Sequence, residues 1–419
     1  MLVFFYPLFL SIPIVLTTIF GYDIPPSFLV LPLVFISLIK SYRSLDAVFF
    51  MASIILGLLS CLLGEIIQSS DAVMKPILSM TLILIAPSFI FLGQSIICKS
   101  YSFKKTFEYL AIFSSIFSIV LVARLLLNGS IFRYEIDPSV TDINIGSNLD
   151  AKFMGFPVFG SWGVLSLAHL FCVQTFICSG TLVGDKVQMP IRILSGIGLL
   201  CFIYLIIGSD SRSAQLGTTW LIGTYIFYKF NSWNKRLFVA AVLAAILGFV
   251  LFYSIGYSEN SRLVISIQES VSGSSLSDLS TGRTDLINAA LKDLENNSVI
   301  GVGFGTFNRF LNGFSSEHTL NNSSTHIYLL TILWKGGLIF AVPFFGMLFV
   351  VSRKLWKSRN KIFSTSEEYF ALNAIFVSFF ILSMTWDILI VPTTGALVFF
   401  LLGMLSVSKH KLNNNIKVI

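Results

Sequence analysis

Charge is scarce in this chain. Only 12% of its 419 residues are Asp, Glu, Lys or Arg, whereas 55% are hydrophobic and 41 are Phe. A water-soluble protein of this length could not hide so much apolar surface, which excludes an ordinary soluble enzyme. Histidine is rarer still, at four residues. The five cysteines, Cys61, Cys98, Cys172, Cys178 and Cys201, make no CxxC pair and no Cys/His cluster, so they read as helix-packing residues rather than as disulfide or metal partners. No HExxH occurs either, and the segments read below as outer loops hold no DxD pair, which disfavours a metal-assisted diphosphate site. The first apolar run, "LVFFYPLFLSIPIVLTTIF", lacks a basic leader and a small-residue cleavage site, so it is expected to be a retained helix instead of a signal peptide.

Apolar runs of membrane-spanning length are abundant, with a mean hydropathy of +0.84. They predict an all-α polytopic integral membrane protein. Twelve spans are expected, at about residues 2–20, 26–40, 47–65, 76–97, 107–127, 158–180, 190–208, 212–230, 237–257, 327–351, 370–389 and 391–408. The loops on one side, together with the C-terminus, hold 18 of the 28 basic residues and five of the 21 acidic ones, a net of +13. The other side and its span edges carry a net of −6. The positive-inside rule then puts both termini in the cytoplasm. The basic balance is thus a topology signal and asks for no nucleic acid.

Residues 1–257 read as spans one to nine, interrupted by an outer loop at about 128–157. Residues 258–325 form a large outer loop between spans nine and ten, and 326–419 hold spans ten to twelve and a short cytoplasmic tail. Loops this long are usually functional or disordered, and the second carries organised patterns. In "GRTDLINAALKDLENN", Leu286, Ala290 and Leu294 share one helical stripe with Ile287 and Leu291 beside it. That amphipathic helix can lie on the membrane surface or cap the bundle. The following "SVIGVGFGTFNRFLNGF" lacks a βαβ setting for a nucleotide and reads as a tight backbone passage between aromatic anchors.

Three outer-face residues stand out. Arg212, in "SDSRSAQLG", lies between the seventh and eighth spans. Its fork of donors matches phosphate oxygens, but an arginine there can also snorkel to headgroups or pair with Asp210. Arg283 opens the amphipathic helix, where the helix dipole mildly disfavours a cation. His326, in "NNSSTHIYLLTILWKGG", stands where the tenth span begins; it can accept a hydroxyl proton near neutral pH, or simply be an interfacial polar residue. Arg262, Arg133 and Arg309 are further outer-face cations, and Asp210 can orient Arg212 or serve as a polar rim residue. His169 lies inside the sixth span, and His318 and His410 have no comparable setting.

"SRSA" at 211–214, "GRTDLINAA" at 282–290, "GVGFGTF" at 301–307 and His326 come in an order that resembles the O-antigen ligase/polymerase superfamily. The resemblance covers residues 205–350. It implies a membrane-embedded glycosyltransferase that takes a glycan from undecaprenyl diphosphate at the periplasmic face of the bacterial inner membrane, with no metal and no cofactor. By the same resemblance Arg212 and Arg283 hold the diphosphate, His326 activates the acceptor hydroxyl, and Asp210, Arg262 and Arg133 are supporting candidates. The implied partners are the lipid-linked oligosaccharide, membrane lipids, a chain-length regulator and a flippase. Two positions depart from the family pattern: Ile327 stands where Asn commonly follows the histidine, and Lys335 where an acidic residue often precedes the glycine opening the next span. These departures favour a polymerase over a ligase that delivers the glycan to lipid A core. A glycan flippase or transporter is the rival outside enzymology, although two related halves are not seen and the distinctive charges sit at the outer rim.

Overall fold

The computed structural model describes residues 2–12, 17–19, 22–24, 26–68, 74–98, 102–128, 152–153, 156–157, 162–208, 211–229, 283–304, 327–362, 365–383, 389–390 and 392–407. The helices among them are α1 (Leu2–Ser11), α2 (Leu31–Lys40), α3 (Leu45–Gln68), α4 (Met74–Cys98), α5 (Phe103–Asn128), α6 (Trp162–Val183), α7 (Met189–Gly208), α8 (Arg212–Lys229), α9 (Arg283–Asn297), α10 (Tyr328–Ile362), α11 (Ser366–Val377) and α12 (Pro392–Val407). A 3-10 turn over Pro26–Val30 leads into α2, and a π-helical turn over Ser378–Leu382 continues α11. Two short antiparallel ribbons, β1 (Thr17–Ile19) with β2 (Tyr22–Ile24) and β3 (Lys152–Phe153) with β4 (Phe156–Pro157), are the strands among the described residues.

Expected spans three to eight and twelve coincide with α3 to α8 and α12 to within four residues at each end. Among the described residues, four stretches are long and apolar enough to cross a membrane: Leu45–Leu62, Phe103–Leu127, Met189–Ile207 and Tyr328–Lys357. Their surfaces agree with that solvent: Leu127 is 83% exposed, Leu200 69% and Phe349 67%, a cost in water that hydrocarbon removes. Span nine, 237–257, lies outside the described residues.

The first span needs correction. α1 stops at Ser11, and residues 17–19 and 22–24 form the β1–β2 ribbon, with Thr17 opposite Ile24. Pro13 disfavours helical backbone at Ile12 and cannot donate within a helix, while Thr17, Thr18 and Ile19 are β-branched residues suited to a strand. The eleventh span also differs. α11 starts at Ser366, where the Thr365 hydroxyl accepts from the Glu368 N–H at 3.3 Å, and the helix gives way to the π turn after Val377.

The chain divides into two compact units. One comprises Met1–Pro26, Ser102–Ser274 and Ile362–Leu382. Its central helix is α6, which packs on α5, α7, α8 and α11. Ala168, Leu170, Phe171, Cys172, Val173, Phe176, Ile177 and Cys178 are all essentially inaccessible, as expected for a helix apolar on every side. The α6 side chain of Gln174 donates to the Ser11 carbonyl at 3.0 Å, satisfying the end of α1.

The other unit comprises Ser27–Tyr101, Ser275–Lys361 and Ser383–Ile419. α4 and α12 make its most extensive helix pair, and they meet backbone to backbone. A Cβ on Gly93 would lie 2.8 Å from the Met404 nitrogen, and one on Gly403 would lie 2.8 Å from the Ile90 carbonyl carbon. Small residues at such crossings are what let helices associate in lipid. At one end of this unit Asp46, fully buried at the start of α3, accepts from Lys354 Nζ and Gln94 Nε2, each at 2.7 Å. Lys354→Ala would strand a buried carboxylate and is expected to cost ~3 kcal/mol, read by thermal unfolding in detergent. Removing both charges together, as Asp46→Asn with Lys354→Met, is expected to restore most of that loss.

Candidate functional site

Arg283 is the first residue of α9, whose stripe does cap a span. Ala290 forms a small buried core with Val302 and Trp334, against which Leu294 and Leu330 pack. Trp334 Nε1 also donates to Asp293 Oδ2 at 3.2 Å. Leu291, by contrast, is 48% exposed and faces away. The helix carrying Arg283 is therefore fixed to the first turns of α10, which begin two residues after His326.

α10 is broken within its apolar stretch. At Gly337 the backbone turns to φ 59°, ψ −171°, a conformation open essentially to glycine alone. A continuous helix would pair the N–H groups of Leu338 and Ile339 with the carbonyls of Trp334 and Lys335. Here the segment after α9 takes all four partners. Val302 N–H donates to Trp334 O and Gly303 N–H to Lys335 O, each at 2.9 Å; Leu338 N–H donates to Ser298 O at 2.9 Å and Ile339 N–H to Val299 O at 3.0 Å. Backbone freed at membrane depth is tolerated only where protein re-satisfies it, and residues 298–303 do so.

The glycines of "GVGFG" make this possible. Gly301 and Gly303 hold φ values of 75° and 90°. A Cβ on Gly301 would stand 2.6 Å from the Lys335 carbonyl oxygen and 2.7 Å from that of Trp334, while one on Gly337 would collide with the backbone of Val299, Ile300 and Gly301. Ser60 of α3 donates to the Ile300 carbonyl at 3.1 Å, and Phe304, 1% exposed, packs edge-on against Phe340 at 5.0 Å. The expected tight passage with an aromatic anchor is present. What the pattern alone could not disclose is that its partner is an opened helix. Lys335, at the departure from the family pattern, is buried at 6% exposure in this passage.

Arg212, in the other unit, is the first residue of α8. The Ser211 carbonyl accepts from Gln215 N–H at 2.9 Å, the first helical bond. Ser213 Oγ lies 2.7 Å from Nε2 of His169 on α6, and Ser211 Oγ lies 3.4 Å from Ser213 Oγ. His169, which sequence reasoning passed over, is thus in contact with the "SRSA" motif. The available signal was its position near the start of the apolar stretch Leu167–Val183, where an ionisable residue is costly.

Arg212 belongs to one unit and Arg283 to the other. His326, Asp210, Arg262, Arg133 and Arg309 lie outside the described residues, as do most of 128–157 and 258–325. A cleft of about 250 Å³ lined by Leu182, Val183, Asp185, Arg192, Tyr225 and Lys229 belongs to the other end of α7 and α8, remote from Arg212. The five cysteines carry no disulfide, and Cys61, Cys172 and Cys178 are buried among helix side chains. Among the described residues no three His, Cys, Asp or Glu side chains converge.

Residues 197–345 match the protein-family model described as O-antigen ligase. The match takes in α8, α9, the 298–303 passage and the break in α10. No curated protein matches the chain.

Proposed function

We propose that this membrane protein is an O-antigen polymerase, a reading supported by the match of residues 197–345 to the family model described as O-antigen ligase. In this reading spans two to twelve cross the membrane, the C-terminus lies in the cytoplasm and the active face in the periplasm. It moves a glycan from undecaprenyl diphosphate to the acceptor sugar of another lipid-linked repeat unit. The long loop at 258–325 roofs the glycan cavity, and the lipid tails lie between spans. A flippase supplies the donor and a chain-length regulator limits the product.

One observation carries the reading. Both motif arginines open a helix, where unpaired N–H groups and the helix dipole favour an anion and disfavour a bare cation. A diphosphate reconciles the two, because it meets the guanidinium and the helix end together. The acceptor hydroxyl attacks the anomeric carbon, His326 takes its proton, and the bond from that carbon to the diphosphate oxygen breaks. Arg212 and Arg283 stabilise the charge that grows on the departing undecaprenyl diphosphate, so they act on the transition state. Asp210, Arg262 and Arg133 support this cation set.

The described family, O-antigen ligase, favours a second reading in which the acceptor is lipid A core. A gene deletion examined on a lipopolysaccharide gel separates the two. Polymerase loss is expected to leave cores bearing a single repeat unit; bare cores, with long chains retained on the carrier lipid, would sink the polymerase assignment. A transporter is disfavoured by the state of the one broken helix among the described residues. Transporters leave such backbone free for substrate or ions, whereas in α10 the four groups are taken by residues 298–303.

A further inference from the structure

We propose that His169 is a positioning residue: through Ser213 it fixes the first turn of α8, and so the backbone that presents Arg212. This rests on the assignment of Arg212 as a diphosphate ligand.

His169 is 2% exposed on the central helix of its unit, between Ala168 and Leu170, both fully buried. Packing alone gives no reason for an imidazole there, because burying one away from water carries a penalty unless it is hydrogen-bonded. Its observed partner is Ser213, the residue directly after Arg212. On the other flank Ser211 is 3% exposed, its hydroxyl is beside that of Ser213, and its carbonyl starts the helix. The Arg212 backbone is therefore held between two anchored serines.

The contact belongs to a continuous seam. One turn along, the neighbours are Cys172 on α6 and Gly217 on α8, and a Cβ on Gly217 would lie 2.6 Å from Cys172 Sγ. His169 with Cys172 and Ser213 with Gly217 are spaced as one face of each helix. The close approach at Gly217 sets the separation of the helices, and the imidazole–hydroxyl bond sets the height of α8 along α6. A clamp on a leaving group is sensitive to that height, since a displacement of about 1 Å at a reacting centre costs ~10²-fold in rate.

The test uses full-length protein in membranes and, as substrate, the lipid-linked glycan that accumulates in cells lacking this gene. His169→Ala and Ser213→Ala are expected to lower kcat by about 10- to 100-fold with KM nearly unchanged; Ser213→Ala should leave thermal stability nearly unchanged, whereas His169→Ala also empties a buried site and lowers it. His169→Gln, whose amide can still bond Ser213, is expected to recover much of the loss. Added to Arg212→Ala, His169→Ala is expected to cost nothing more, because both act through one group. Should His169→Ala fail to accumulate, Ser213→Ala, which removes one hydroxyl, decides the matter. Wild-type kcat in Ser213→Ala and His169→Ala beside an inactive Arg212→Ala would overturn the inference while leaving the site assignment standing. Full activity in Arg212→Ala would overturn both.

Discussion

Alanine at Arg212, Arg283 or His326, introduced singly, is expected to reduce glycan extension by ~10²–10³-fold while the protein still reaches the membrane. The two arginines are predicted to differ from the histidine in how they respond to conservative change. Lysine keeps the charge at 212 or 283 but loses the planar fork, so partial activity is expected there. At 326, glutamine keeps a polar group of similar reach but cannot take a proton, and activity should stay near the alanine level. Chain length on a polysaccharide gel, normalised to protein in the membrane fraction, reads all of these. Wild-type extension in all three alanine variants would refute the site.

Alanine at Gly337 is expected to destabilise the protein by ~3–5 kcal/mol, from backbone strain of ~1–3 kcal/mol together with a comparable overpacking cost where its Cβ meets residues 299–301. Gly301→Ala is expected to behave similarly, since it faces the same crossing at φ 75°. Gly223 in α8 is the control: a Cβ there meets nothing within 4 Å, so alanine should be neutral or stabilising by up to ~1 kcal/mol. Thermal unfolding of detergent-solubilised protein separates the cases, and equal stability of Gly337→Ala and Gly223→Ala would contradict the crossing.

Much of the helical layout was legible because apolar runs of 18 or more residues leave little choice of structure, as at α5 and α7. The first span is apolar enough to pass for one helix, but its residue chemistry is not that of a single helix. "IPIVLTTIFGYDIP" holds two prolines and a glycine, which argue against a continuous helix, and paired threonines, which favour a strand. The break in α10 was not legible, because "KGG" within an apolar run is compatible with a straight helix until a second strand of chain is known to replace its bonds. The same holds for His169, whose partner is 44 residues away. Local motifs located the arginines at helix starts; only the fold disclosed what holds one of them there.

The opened turn of α10 also bears on how the protein is made. A span with four unpaired backbone groups would be costly to leave in hydrocarbon, so α10 is not a self-sufficient unit of insertion. Its missing partners, residues 298–303, precede it in the chain and emerge from the ribosome first. Translation order therefore delivers the complement before the helix that needs it.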